Sequence, residues 1–287
     1  MSDNPVVTNA IDWDDAFNNM GHVAGSQGLP EFWAKRAASY RETLPSIHLQ
    51  QDISYGDGAR EVFDLFHPEG AVKGLAVFVH GGYWMRLDKS YWSDLAAGAL
   101  ARGWAVCIPS YTLTPNARIG AITAEIGRAV SKVAENVEGP ICLAGHSAGG
   151  HLVARMLCED SPLSEDARAR IQHTLSISGL HDLRPLLRTK MNDTLHLNAT
   201  EAQMESPALH MPFGSSPLTC WVGGGERPEF IRQAQLMAMM WRGANLGARH
   251  HIDGTHNHFT ILEGLKDPHS PITNAFLGRP NFEKDTS

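Results

Sequence analysis

The chain has 287 residues, a formal net charge of −7, 43% apolar residues and 19% charged ones. This suits a globular protein large enough to bury about three quarters of its unfolded surface, and the acidic balance argues against a nucleic-acid partner, which needs a basic footprint. The opening MSDNPVVTNAIDWDDAF lacks a signal peptide's basic start and apolar run, and no apolar stretch approaches the ~18 residues of a membrane span, so a cytoplasmic protein without membrane contact is expected.

Residues 1–46 come first, polar but carrying Trp13, Phe17, Phe32, Trp33 and Tyr40. Nothing there reads as a strand, and part of this segment is expected to close over a pocket as a lid. Residues 47–67 read as a hairpin turning at Gly56-Asp57-Gly58. Five short apolar runs follow, at 74–80, 104–110, 140–146, 174–179 and 218–224. Such unbroken runs fit strands covered on both faces, as in a parallel sheet. Helical patterns separate them at about 89–102, 120–136, 148–159 and 228–242, the second placing Ile122, Ile126, Ala129, Val130 and Val133 on one face. Strand alternating with helix implies βαβ units, hence one α/β domain over 1–287 with a mostly parallel central sheet flanked by helices. Residues 180–217 exceed a usual αβ connection and are expected to form a cap-like insertion near a binding site. Cys107, Cys142, Cys158 and Cys220 lie in apolar runs without metal-type spacing and read as core residues.

Gly145-His146-Ser147-Ala148-Gly149 joins a strand to a helix, the context in which G-x-S-x-G makes a nucleophile elbow. Ser147 is the candidate nucleophile, and His151 one turn later reads as a packing residue. His80-Gly81-Gly82-Tyr83-Trp84 follows an earlier strand. Paired glycines let backbone approach a substrate closely, and N–H groups there can hold a developing oxyanion. By position the donors are Gly82, Tyr83 and Ala148, with Gly81 and Trp84 beside the substrate.

These motifs have a family likeness. HGGYW, then GHSAGGHLVARM, then SISGLHDLRPL resembles the kynurenine formamidase (arylformamidase) branch of the esterase/lipase α/β-hydrolases, from about residue 50 to 265. The resemblance implies the α/β-hydrolase fold, a Ser–acid–His triad, a small-molecule substrate, no metal or cofactor, and an assembly that is often a dimer. The branch has its base immediately before Phe, which here is His258-Phe259, and His258 is preferred to His256. The acid should follow the run at 218–224; Glu226 takes a position where the family commonly has Asp. Glu229 and Asp182 compete with it. The expected chemistry is hydrolysis through an acyl-enzyme, on an N-formyl aryl amine such as N-formyl-kynurenine or on a short-chain ester. A non-catalytic ligand receptor of the same fold is the remaining alternative.

Overall fold

The computed structural model describes residues 11–244, 247–254 and 256–278. Eight strands form one sheet: β1 Leu49–Ser54, β2 Val62–Phe66, β3 Leu75–Val79, β4 Ala105–Pro109, β5 Ile141–His146, β6 Ile171–Ile177, β7 Leu218–Gly223 and β8 Ala248–Asp253. Their order is β1-β2-β4-β3-β5-β6-β7-β8. The expected hairpin is the antiparallel pair β1–β2, β2 runs antiparallel to β4, and all other pairings are parallel. The fold is the α/β-hydrolase fold foreseen from the sequence.

The two-residue period of a strand sorts the core into two layers. Leu75, Val77 and Val79 of β3 face a cluster with Ile122, Ile126, Val130 and Phe230, whereas Ala76 and Phe78 face one built on Trp33, Trp92, Leu262 and Phe276. Helix Ile119–Ala134 buries the stripe its sequence marks. At ~1.5–3 kcal/mol per fully buried large apolar side chain, these two layers dominate stability.

Three expectations are refined. The pattern at 89–102 is two 3₁₀ turns, Lys89–Tyr91 and Ser93–Ala96, leading into a short helix Ala97–Ala101. Lys89 is drawn inward there, its Nζ 2.6 Å from Asp64 Oδ1 and 2.8 Å from Asp52 Oδ1. The helix after Ser147 ends at Arg155. Arg155 then bonds both oxygens of Asp160 and, at 3.2 Å, Glu205. The 180–217 insertion is a series of short helical turns whose Leu183, Leu186, Leu195, Leu197 and Ala202 are buried in the core. Most of it is packed structure, not a free cap.

The N-terminal segment also divides. Helix Leu29–Thr43 is packed structure: Trp33 sits 4.9 Å from the Trp92 ring and 5.8 Å from Phe259, while Phe32 is 55% exposed. Of residues 11–28, Asp14 and residues 17–20 lie around the same cavity as Gly81, Gly82 and Ser147. No helix among the described residues is long and apolar enough to cross a membrane.

Candidate active site

Ser147 lies at the sharp turn between β5 and helix Ala148–Arg155, with φ 55° and ψ −114°. A non-glycine residue in that region carries strain of order 1–3 kcal/mol. The strain is held by flanking bonds, from Ser147 N–H to Ile177 O at 2.8 Å and from His151 N–H to Ser147 O at 3.1 Å. The flanking glycines are sterically required. A Cβ on Gly145 would lie 2.1 Å from Gly149 O, and one on Gly149 would lie 2.0 Å from Val79 O.

His258 follows β8, and its Nδ1–H donates to Glu226 Oε2 at 2.6 Å. That leaves Nε2 with its lone pair, the arrangement a base needs to take a hydroxyl proton. The other oxygen of Glu226 accepts from Ser178 Oγ at 2.5 Å and Gly223 N–H at 2.8 Å, and its side chain is fully buried. The rival carboxylates are engaged elsewhere. Asp182 takes two bonds from the Arg184 guanidinium, at 2.8 and 2.9 Å; burial works to raise its pKa, but Arg184 brings it below the usual value. Glu229 holds Arg232 through two bonds of 2.7 Å and also accepts from Gln233. His256 lies apart, within 3.3 Å of the Thr260 hydroxyl.

Ser147 and His258 line one cavity of about 630 Å³ together with His146, Gly81, Gly82 and Tyr83. The serine hydroxyl and the ring have no direct hydrogen bond among the described contacts; such bonds often tighten only when substrate binds. The N–H groups of Gly82, Tyr83 and Ala148 have no acceptor among the described residues, as an oxyanion hole requires. Ala148 opens its helix, so its N–H belongs to the unpaired first turn at the positive end of the dipole.

Residues 76–248, more than half the chain, match the family described as the alpha/beta hydrolase fold. The chain belongs to that family. It is a hydrolase of the α/β-hydrolase superfamily. It is 28% identical to the kynurenine formamidase of Danio rerio over 85% of this chain and 84% of that protein, and 25% identical to that of Drosophila melanogaster over 74% and 75%. A solved protein from Silicibacter sp., assigned provisionally to the thioesterases, is 45% identical and superposes with a TM-score of 0.87 over 93% of this chain and all of its own. The Pyrobaculum calidifontis esterase shares the fold at 15% identity, with a TM-score of 0.65 over 88% of this chain and 91% of that one.

Within this α/β-hydrolase, one expectation needs correcting. Trp84 does not face the cavity; it is fully buried, with its ring edge-on to His151 at 5.1 Å. Tyr83 and Trp84 both have positive φ, 53° and 56°, and this tight left-handed turn sends Tyr83 to the cavity and Trp84 into the core. The Tyr83 hydroxyl donates to Phe17 O at 2.5 Å, tying the loop to the N-terminal segment. Of the 180–217 insertion, Met191 is the described member that reaches the cavity wall.

Two contributors escaped sequence reasoning. Ser178, φ 51°, bonds Glu226 from the end of β6; its only signal was a Ser-Gly pair after a strand. His146 lies between the elbow glycine and Ser147. Burial, with His258 nearby, holds its pKa well below the ordinary 6.5, so its ring is neutral. Its Nε2 lies 2.8 Å from His258 O, and because a carbonyl only accepts, that nitrogen carries the proton. His146 thus fastens the His258 backbone to the elbow, with the two rings 4.6 Å apart.

Proposed function

We propose that the chain is a serine arylformamidase that hydrolyses N-formyl-kynurenine or a close N-formyl aryl amine. His258, oriented by Glu226, takes the Ser147 proton while Oγ attacks the formyl carbon. The oxyanion is held by the N–H groups of Gly82, Tyr83 and Ala148. The C–N bond then breaks, His258 returns the proton to the departing amine, and water releases formate from formyl-Ser147 by the same steps in reverse roles. Removing one such oxyanion donor costs ~2.7–4 kcal/mol in well-studied hydrolases.

The observation that carries this reading is Tyr83. It stands where many esterases have a third glycine, lines the cavity, and is pinned by its hydroxyl to Phe17 O. A fixed aromatic ring beside the oxyanion loop disfavours long acyl chains and penalises formyl least. Phe17, Trp33, Tyr91, Trp92 and Phe259 add further aromatic surface for an aryl amine. The likeness to kynurenine formamidases over most of the chain supports the same substrate class.

A second reading, hydrolysis of short acyl esters or thioesters, is favoured by the 45% identical Silicibacter protein. The two separate on one acyl series. With formyl, acetyl and butyryl groups on the same aryl amine, kcat/KM is expected to fall at each step, by up to a few kcal/mol per step as excluded methylenes accumulate. N-formyl-kynurenine should yield kynurenine and formate. A flat profile, or butyryl esters and thioesters outrunning the formamide, would select the second reading.

A further inference from the structure

We propose that Arg86 and Asp14 form a recognition site for an α-amino acid head group, Arg86 taking the carboxylate and Asp14 the ammonium. This deepens the arylformamidase reading and rests on it. It would make the preferred substrate an aryl formamide that carries a zwitterion.

The cavity is walled mainly by apolar and aromatic side chains. Beyond the reacting residues, Arg86 and Asp14 bring it one cation and one anion, since His146 is neutral. They enter from opposite directions in the chain. Arg86 ends the turn after the oxyanion loop, where its N–H bonds Gly82 O at 3.1 Å. Asp14 belongs to the helical turn Trp13–Ala16, whose N-cap Asp12 accepts from Asp15 N–H.

Their partners are telling. Arg60, Arg184, Arg227 and Arg232 all have guanidinium partners within the chain. The Arg86 guanidinium, on an exposed residue, has none among the described residues, and its charge only offsets part of the rise that burial gives the Tyr83 phenol. Asp14 spends one oxygen on Lys190 N–H at 2.7 Å, and its other oxygen has no hydrogen-bond donor among the described residues. The two charges do not pair with each other among the described ion pairs. A cation and an anion on the wall of one apolar cavity, not paired with each other, suit a group that bears both charges. Arginine's planar fork suits a carboxylate.

The test compares two substrates with the same reacting centre: N-formyl-kynurenine, and 2′-formamidoacetophenone, which lacks the amino acid head group. The wild-type protein should favour N-formyl-kynurenine in kcat/KM by about tenfold or more, the scale of one charge-assisted contact. Arg86→Gln should cut that ratio by about tenfold and Asp14→Asn by about threefold. A second measurement uses the unmodified protein: kynurenine should inhibit at least about tenfold more tightly than 2′-aminoacetophenone. If both formamides are cleaved and the Arg86→Gln ratio stays within about twofold of wild type, or the two amines inhibit equally, the head-group site is wrong and the formamidase reading stands. If neither formamide is cleaved, both fall.

Discussion

On its sheet side the cavity is bounded by Ser147 and His258, with Glu226 buried behind the His258 ring, each set past the end of a strand and tied to backbone or buried partners. On the opposite side it is bounded by Asp14 and residues 17–20, a segment attached largely through side-chain contacts and the buried Phe17 ring. Arg227 pairs with Asp15, His22 lies 2.7 Å from Asp15, and Tyr83 reaches Phe17 O. The first wall inherits its geometry from strand register and strained turns that cannot shift without breaking the sheet. The second, anchored by Phe17 but otherwise by side-chain bonds, is expected to loosen while the sheet stays intact. In the proposed mechanism the over-determined wall carries the chemistry and the other wall the selection of substrate.

The largest effects should come from the sheet-side wall. Ser147→Ala should leave a folded protein with turnover reduced by about 10⁴-fold or more, because no acyl-enzyme can form. Formate release measured within tenfold of wild type would remove Ser147 from the mechanism. Glu226→Gln keeps the shape and removes the charge facing His258, for a loss of about 10²–10³-fold. Asp182→Asn and Glu229→Gln should stay within a few fold, since both carboxylates are committed to arginines. The reverse ranking would move the acid.

His146 tests how far the rigidity extends. His146→Phe deletes the donor to His258 O, a net loss of about 1 kcal/mol, and should lower kcat roughly five- to tenfold with KM little changed. A KM effect alone would mean that the residue shapes the cavity without positioning the base.

The covering wall should respond more weakly. Tyr83→Phe removes the bond to Phe17 O and should raise KM a few fold, with hydrogen exchange rising in residues 13–22. Exchange unchanged there would break the contrast between the two walls. The smallest effect concerns pH. The hydrogen bond from His22 holds the Asp15 carboxyl below its ordinary 3.8, partly against burial and with help from Arg227. A carboxyl depressed in the folded state contributes stability above its unfolded pKa and loses it as pH falls through the folded value. The cover should therefore loosen, by Trp13 fluorescence, only below about pH 4; loosening already between pH 5 and 7 would assign the hold to another group.

The same contrast explains what was legible. Ser147 and the loop after β3 announce themselves because strand, glycine-bounded turn and helix are contiguous in the chain. His258 and Glu226 follow from their place after predicted strands, and the bond between them is the geometry that separates Glu226 from Asp182 and Glu229. Ser178, His146 and Phe17 act through contacts 48, 112 and 66 residues distant in sequence, which no local pattern carries. Trp84 was misplaced because two successive left-handed residues reverse the side-chain direction that the motif suggests. The 180–217 insertion looked like a cap from its length, yet its buried leucines give it to the core.

In the proposed mechanism Ser147, backed by the His258–Glu226 pair, is the residue that becomes acylated. Intact-mass analysis and peptide mapping after exposure to a fluorophosphonate test it directly. One adduct per chain is expected, on the peptide containing Ser147, absent in Ser147→Ala and formed far more slowly in Glu226→Gln. An adduct on another residue, or no covalent adduct on a folded protein, would contradict it.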